Sequence, residues 1–211
     1  LEALDLPLFR SNLKDLYSGK EVDLPRFDFK NGGQRYFKGD KISLAKNTIL
    51  VIEGIHALNP SLLPNLNPKT FFKIYISALT QLNLDDHNRI STTDNRILRR
   101  IVRDNRTRST TAQMTLEMWP SVERGEARHI FPYQNQANIM INSALEYELA
   151  VLKSYAEPLL KTVKPDAYET YPVARRLLRF LENVYPIPSN LVPTDSLLRE
   201  FIGGGEFFRE D

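Results

Sequence analysis

The chain has 211 residues, 42% of them hydrophobic and 26% charged, with a formal net charge of +2 and no cysteine. That length supports one sizeable α/β core or two small domains. The near-neutral balance argues against a dedicated nucleic-acid coat. The lack of cysteine excludes disulfides and thiolate metal sites and fits an intracellular, cytoplasmic home. No apolar run approaches the roughly 20 residues that span a bilayer, so no membrane role is expected.

The chain opens at Leu1 without a methionine, and a helical apolar pattern follows at once, through Leu4, Leu6, Leu8, Phe9, Leu13 and Leu16 to a stop near Ser18-Gly19. We therefore expect a piece of a longer protein, truncated at its N-terminus. EVDLPRFDF, residues 21–29, comes next. Pro25 interrupts it, and Phe27 and Phe29 share a face if the segment is extended. Alternating aromatics are core by default, with a stacking wall for a planar ligand as the alternative. Asn31-Gly32-Gly33 marks a turn, and 34–37 with 40–44 reads as a short polar hairpin.

Residues 48–52, TILVI, form a continuous β-branched run, which predicts a central parallel strand buried on both faces. Glu53 and Gly54 close it. A carboxylate at the C-terminal end of a buried strand needs a partner, and in open α/β sheets that edge binds ligands. Mg²⁺ with phosphates is one natural partner and a turn or helix cap is the structural alternative. His56 follows. A lone histidine is more often a satisfied surface residue than a ligand, and we keep it among the substrate-side candidates.

TFFKIYI, residues 70–76, predicts a second strand. Residues 85–110 then hold seven arginines between Arg89 and Arg108, offset after Arg89 only by Asp94 and Asp104. Arg96, Arg99, Arg100 and Arg103 recur at helical spacing, with Ile97, Leu98, Ile101 and Val102 as the apolar side. Arg106 and Arg108 read as the helix end and a mobile segment. Guanidinium groups at this density suit phosphate; a solvated Arg-rich helix is the bland alternative.

Beyond Trp119-Pro120 and a polar stretch, 138–142 predicts a third strand and 144–163 a long amphipathic helix with Pro158 late in it. Strands alternating with helices imply a parallel sheet, with the long insertion, about 85–134, placed over its ligand edge as a lid. The tail, 164–211, predicts a helix over 173–184, the linker PIPSNLVP, and a helix over 195–202 capped by Asp195 or Ser196 and stopped at Gly203–Gly205. The three glycines lack the Lys-Ser/Thr of a phosphate loop.

LPRFDF, VIEGIHALNP, KIYIS, LRRIVRDNRTR and NIMINSALEYELAVL, in this order, resemble the uridine kinase/phosphoribulokinase family of P-loop kinases over roughly residues 1–163. The resemblance implies an α/β parallel-sheet P-loop kinase fold, incomplete at its N-terminus, with a helical Arg-rich lid and a helical tail. It implies transfer of the γ-phosphoryl of ATP, with Mg²⁺, to the 5′-hydroxyl of a pyrimidine nucleoside. Phe27 and Phe29 fall where the family's aromatics flank the nucleoside, and Arg35 near a basic position after them. Glu53 falls where the family has a Mg²⁺-associated carboxylate, and Arg100, Arg103 and Arg108 where lid arginines reach the phosphates.

The sequence departs from the family pattern twice. No G-x-x-x-x-G-K-[ST] occurs in the 211 residues, so the chain alone is expected to be inactive. Where pyrimidine nucleoside kinases of the better-known type carry a histidine, Asn31 to Gln34 stand instead. Another small hydroxyl acceptor, as in phosphoribulokinase or pantothenate kinase relatives, and a non-catalytic nucleotide- or RNA-binding module are the alternative readings. RNA binding would weaken steeply with salt. The oligomeric state stays open, a homo-oligomer with the tail on a neighbouring subunit being one arrangement.

Overall fold

The computed structural model describes residues 4–28, 34–64, 67–83, 86–87 and 89–207. It divides into two compact units: 1–73 with 126–137, and 74–125 with 138–211. No helix among the described residues is long and apolar enough to cross a membrane.

The first unit opens with α1 (Leu6–Tyr17). Asp5 caps it, its carboxylate accepting from the Leu8 N–H at 3.0 Å, and Pro7 occupies the first turn, where its missing N–H costs nothing. The helix buries Leu13 and Leu16 and ends before Gly19 at φ 76°, as its periodicity predicts. Strands β1 (Val22–Asp28) and β2 (Gln34–Ile42) pair antiparallel. The expected hairpin within 34–44 is therefore replaced by one long strand. The register slips between Asp23 and Pro25, where 38–40 bulge out of β2. Gly39 takes φ 80° in that bulge, and Pro25 sits beside it in a ladder with open edges, where its missing donor is tolerated.

The run 48–52 is not a strand. It is irregular, with Ile49 87% and Val51 82% exposed. A buried parallel strand exists only between hydrogen-bonded neighbours, and no strand pairs with this segment among the described residues.

The second unit contains β3 (Ile74–Ser77), α2 (Thr92–Arg108), most of α3 (Ala112–His129), β4 (Ile139–Asn142), α4 (Glu148–Lys161), α5 (Tyr171–Glu182) and the single-turn α6 (Arg199–Ile202). Strands β3 and β4 pair in parallel, Ile74 opposite Ile139 and Ser77 opposite Asn142. The parallel sheet expected from strand–helix alternation is present here, as a two-stranded ladder. Asn142 extends it beyond the last pair: its Oδ1 accepts from Leu79 N and its Nδ2 donates to Leu79 O, both at 2.9 Å. α3 continues through Pro120, and α4 through Pro158.

Leu98, Ile101, Val151, Leu152, Leu177, Leu181 and Leu198 are fully buried, so α2, α4, α5 and the tail share one core. Each such leucine or isoleucine contributes roughly 1.5–3 kcal/mol on leaving water. The tail is fastened to α2 by polar contacts as well. Arg106 Nη2 donates to Glu200 O at 2.8 Å and its Nε to Phe201 O at 3.2 Å, while the Arg99 guanidinium lies 5.0 Å from the Phe201 ring centre. Gly203, at φ 86°, terminates α6 as expected, but the helix is shorter than the expected 195–202: it begins at Arg199, with Leu198 and not Asp195 or Ser196 at its N-cap.

Candidate functional site: an arginine cluster on one helix

α2 starts at Ser91, whose hydroxyl caps Asp94 N, and ends at Ser109, which adopts a left-handed φ of 53°. Arg106 and Arg108, expected as the helix end and a mobile segment, both lie within its last turn. The arginines are not gathered on one solvated side. Arg99 is only 7% exposed: it points inward, its Nε donating to Glu148 Oε2 at 2.8 Å and its Nη2 to Ser143 O at 2.6 Å. Glu148 is 1% exposed and also accepts from Asn95, whose Nδ2 donates to Thr80 Oγ1 at 3.2 Å. Arg99 thereby fastens α2 to the backbone just after β4, at the C-terminal end of the parallel strands. Arg96 lies over the Trp119 ring at 5.8 Å.

The arginines implied by the resemblance converge on Asp104. Arg103 Nε donates to Asp104 Oδ1 at 2.9 Å, Arg100 Nε to Oδ2 at 3.2 Å, and Arg108 Nη1 lies 3.4 Å from Oδ1. Asp104 is 1% exposed, and its carbonyl accepts from Thr110 N at 3.1 Å. The spacing accounts for the geometry. Arg100 and Arg108 stand four residues before and after Asp104, one turn away on the same helix face. Three guanidinium groups against one carboxylate leave local positive charge beside half-exposed side chains. An arrangement of this kind can bind an anion with several oxygens. In the sequence Asp104 reads only as a charge offset; its i±4 relation to Arg100 and Arg108 is the signal that marks it as the centre of the cluster.

Glu53, in the first unit, is exposed in the irregular segment and not at the end of a buried strand. Gly54 follows at φ 151°, a conformation that favours glycine. His56 is half-buried, its ring 5.3 Å from that of His129 in an edge-on arrangement. Burial, followed by nearby positive charge that includes His129, lowers its pKa below the usual histidine value. Phe27, on β1, is 51% exposed and faces Arg35 across the ladder, and Arg35 is ion-paired with Asp5. Phe29 and the turn 31–33 lie outside the described residues. Phe27, Arg35, Glu53 and His56 belong to the first unit and the Asp104 cluster to the second.

Mg²⁺ usually takes one or two carboxylates, with waters and substrate phosphates completing its octahedron. A single exposed carboxylate such as Glu53 fits that donor set. Among the described residues no group of three or more acidic, histidine or cysteine side chains is placed to cage a metal. A cavity of about 240 Å³ lies in the second unit among Thr93, Trp119, Glu123, Glu169, Thr170 and Arg176; Arg100, Arg103 and Arg108 do not line it.

The phosphoribulokinase/uridine kinase family model matches residues 1–150. The uridine kinase of Macrococcus caseolyticus is 33% identical over 141 residues, 66% of this chain and 59% of that protein. That of Staphylococcus epidermidis is 28% identical over 150 residues, 71% of this chain and 63% of its own length. That of Staphylococcus haemolyticus is 27% identical over 150 residues, with the same coverage. The chain thus spans about 60% of the length of these curated relatives. No solved structure matches it.

Proposed function

This chain belongs to the phosphoribulokinase/uridine kinase family, and on that premise we propose that it forms part of an ATP-dependent nucleoside kinase with a P-loop kinase fold. The reading assigns phosphoryl transfer from ATP to the 5′-hydroxyl of uridine or cytidine. The observation that carries it is the convergence of Arg100, Arg103 and Arg108 on Asp104, within a region matched by the family.

In this reading the three arginines meet the phosphates of ATP. Phosphoryl transfer spreads negative charge over the equatorial oxygens of the transferring group, and fixed guanidinium groups stabilise that charge without reorganising. Phe27 and Phe29 flank the nucleoside base, and Arg35 and His56 serve the substrate side. Glu53 would hold Mg²⁺, which when bound neutralises phosphate charge. Positioning dominates this chemistry, so a chain without G-x-x-x-x-G-K-[ST] is inactive by itself.

Saturation-transfer NMR of the 211-residue chain with uridine, cytidine, ribulose 5-phosphate and pantothenate tests the acceptor. Uridine and cytidine are expected to receive saturation, and Phe27→Ala to abolish the effect. Saturation of ribulose 5-phosphate or pantothenate alone would overturn the acceptor assignment. Turnover of ATP and uridine by this chain would contradict its inactivity.

A further inference from the structure

Asp104 is the most enclosed member of the arginine cluster, and the way it is contacted suggests a function for it. It is 1% exposed, whereas the Arg100 and Arg103 side chains are 27% and 28% exposed. Both approach it with Nε, the inner edge of the guanidinium, at 3.2 and 2.9 Å. A guanidinium has five N–H donors in a rigid planar fork, and a partner on Nε leaves Nη donors for a second acceptor. Among the described residues the Arg100 Nη atoms make no hydrogen bond, and the nearest ion-pair partner of Arg103 Nη1 besides Asp104 is Glu200 at 3.8 Å, beyond hydrogen-bond range. The carboxylate is itself fixed, because α2 runs through the core on Ile97, Leu98, Ile101 and Val102, and its last turn is closed on the Asp104 carbonyl.

We propose that Asp104 is a positioning residue: it holds Arg100 and Arg103 by their Nε edges and keeps their outer edges ready for the phosphates of the donor nucleotide. The proposal rests on the reading of these arginines as phosphate ligands. Long arginine side chains lose rotamer freedom when they bind, and a buried carboxylate that orders them beforehand reduces that loss. Asp104 also offsets the repulsion among three neighbouring cations. Its own bonds to Nε persist when phosphate arrives, since the two acceptors use different donors.

The test is an NMR titration of the 211-residue chain with inorganic tripolyphosphate, following the arginine Nε–H signals. With the wild-type chain, the Arg100 and Arg103 Nε–H signals are expected to be resolved at the start and to survive saturation. Loss of these signals on saturation would mean that phosphate displaces Asp104, which overturns the proposal without the use of any variant. With Asp104→Asn, tripolyphosphate is expected to bind about tenfold more weakly, although the net charge rises by one. A purely electrostatic role predicts tighter binding, so equal or tighter binding overturns the proposal. Asp104→Glu keeps the charge and serves if Asp104→Asn does not fold; it is expected to bind between the two. Failure of the wild-type chain to bind tripolyphosphate overturns the phosphate reading itself, and the proposal with it.

Discussion

Arg176 on α5 grips Asp94 in the first turn of α2 with both arms of its guanidinium, one of them at 2.8 Å. Asp94 is 6% exposed, so the pair places a nearly buried carboxylate where the positive end of the helix dipole and a guanidinium both meet it. Arg176→Ala leaves that carboxylate with the helix end alone. The expected loss is about 1–3 kcal/mol in stability, read as a shift in denaturation midpoint. Arg176→Lys, which cannot make the two-armed contact, recovers only part of it.

Glu148 is the larger vulnerability. It is 1% exposed and satisfies Arg99 and Asn95 together. Glu148→Ala strands a buried guanidinium, and breaking a buried pair from one side costs about 3–5 kcal/mol. The melting temperature is expected to fall by about 10 °C or more in calorimetry. An unchanged Tm would show that Arg99 finds water or another partner.

The tail turns on Arg199. Its guanidinium donates to the carbonyls of Ser189 at 3.0 Å, Pro193 at 3.3 Å, Gly203 at 3.3 Å and also Val192. Arg199→Ala removes four backbone contacts at once. Amide hydrogen exchange over 189–203 is expected to quicken, with about 1–3 kcal/mol lost from the unit. Exchange rates like those of the wild type would show that apolar packing of Leu198, Phe201 and Ile202 suffices.

His56 makes the first unit sensitive to acid. Its pKa in the folded chain lies below the ordinary 6.5, so folding favours the neutral ring. The stabilisation is complete above 6.5 and disappears as the pH falls through the lowered folded-state value. NMR titration is expected to place the His56 midpoint below that of a free histidine. Stability of the first unit should fall on acidification, less so in His56→Gln. A midpoint at or above 6.5 would remove the argument.

What could be read from the chain, and what could not, divides along physical lines. α1, α2 and α5 were legible because their apolar periodicity and end signals are local: Gly19 stops α1, and Ile97, Leu98, Ile101 and Val102 mark the buried side of α2. β3 and β4 were legible as short apolar runs within a strand–helix alternation. The segment 48–52 has a stronger strand pattern than either, yet it is irregular and exposed, because a parallel strand is defined by neighbours and not by its own residues. Arg99 and Arg100 are adjacent and chemically identical, and only packing decides that one enters the core while the other turns to Asp104. The placement of Glu53 at a strand end fell with the strand itself.

The most direct test of the central claim is calorimetric titration of ATP into the 211-residue chain and into a variant carrying Arg100→Gln, Arg103→Gln and Arg108→Gln. If these arginines are phosphate ligands, the wild-type chain binds ATP and the variant, compared at a temperature where both are folded, binds at least about tenfold more weakly; its Tm is expected to fall, because the buried Asp104 carboxylate loses its partners. Equal ATP affinity in the two folded chains would contradict the claim, and the arginine cluster of α2 would then be a structural device built around Asp104.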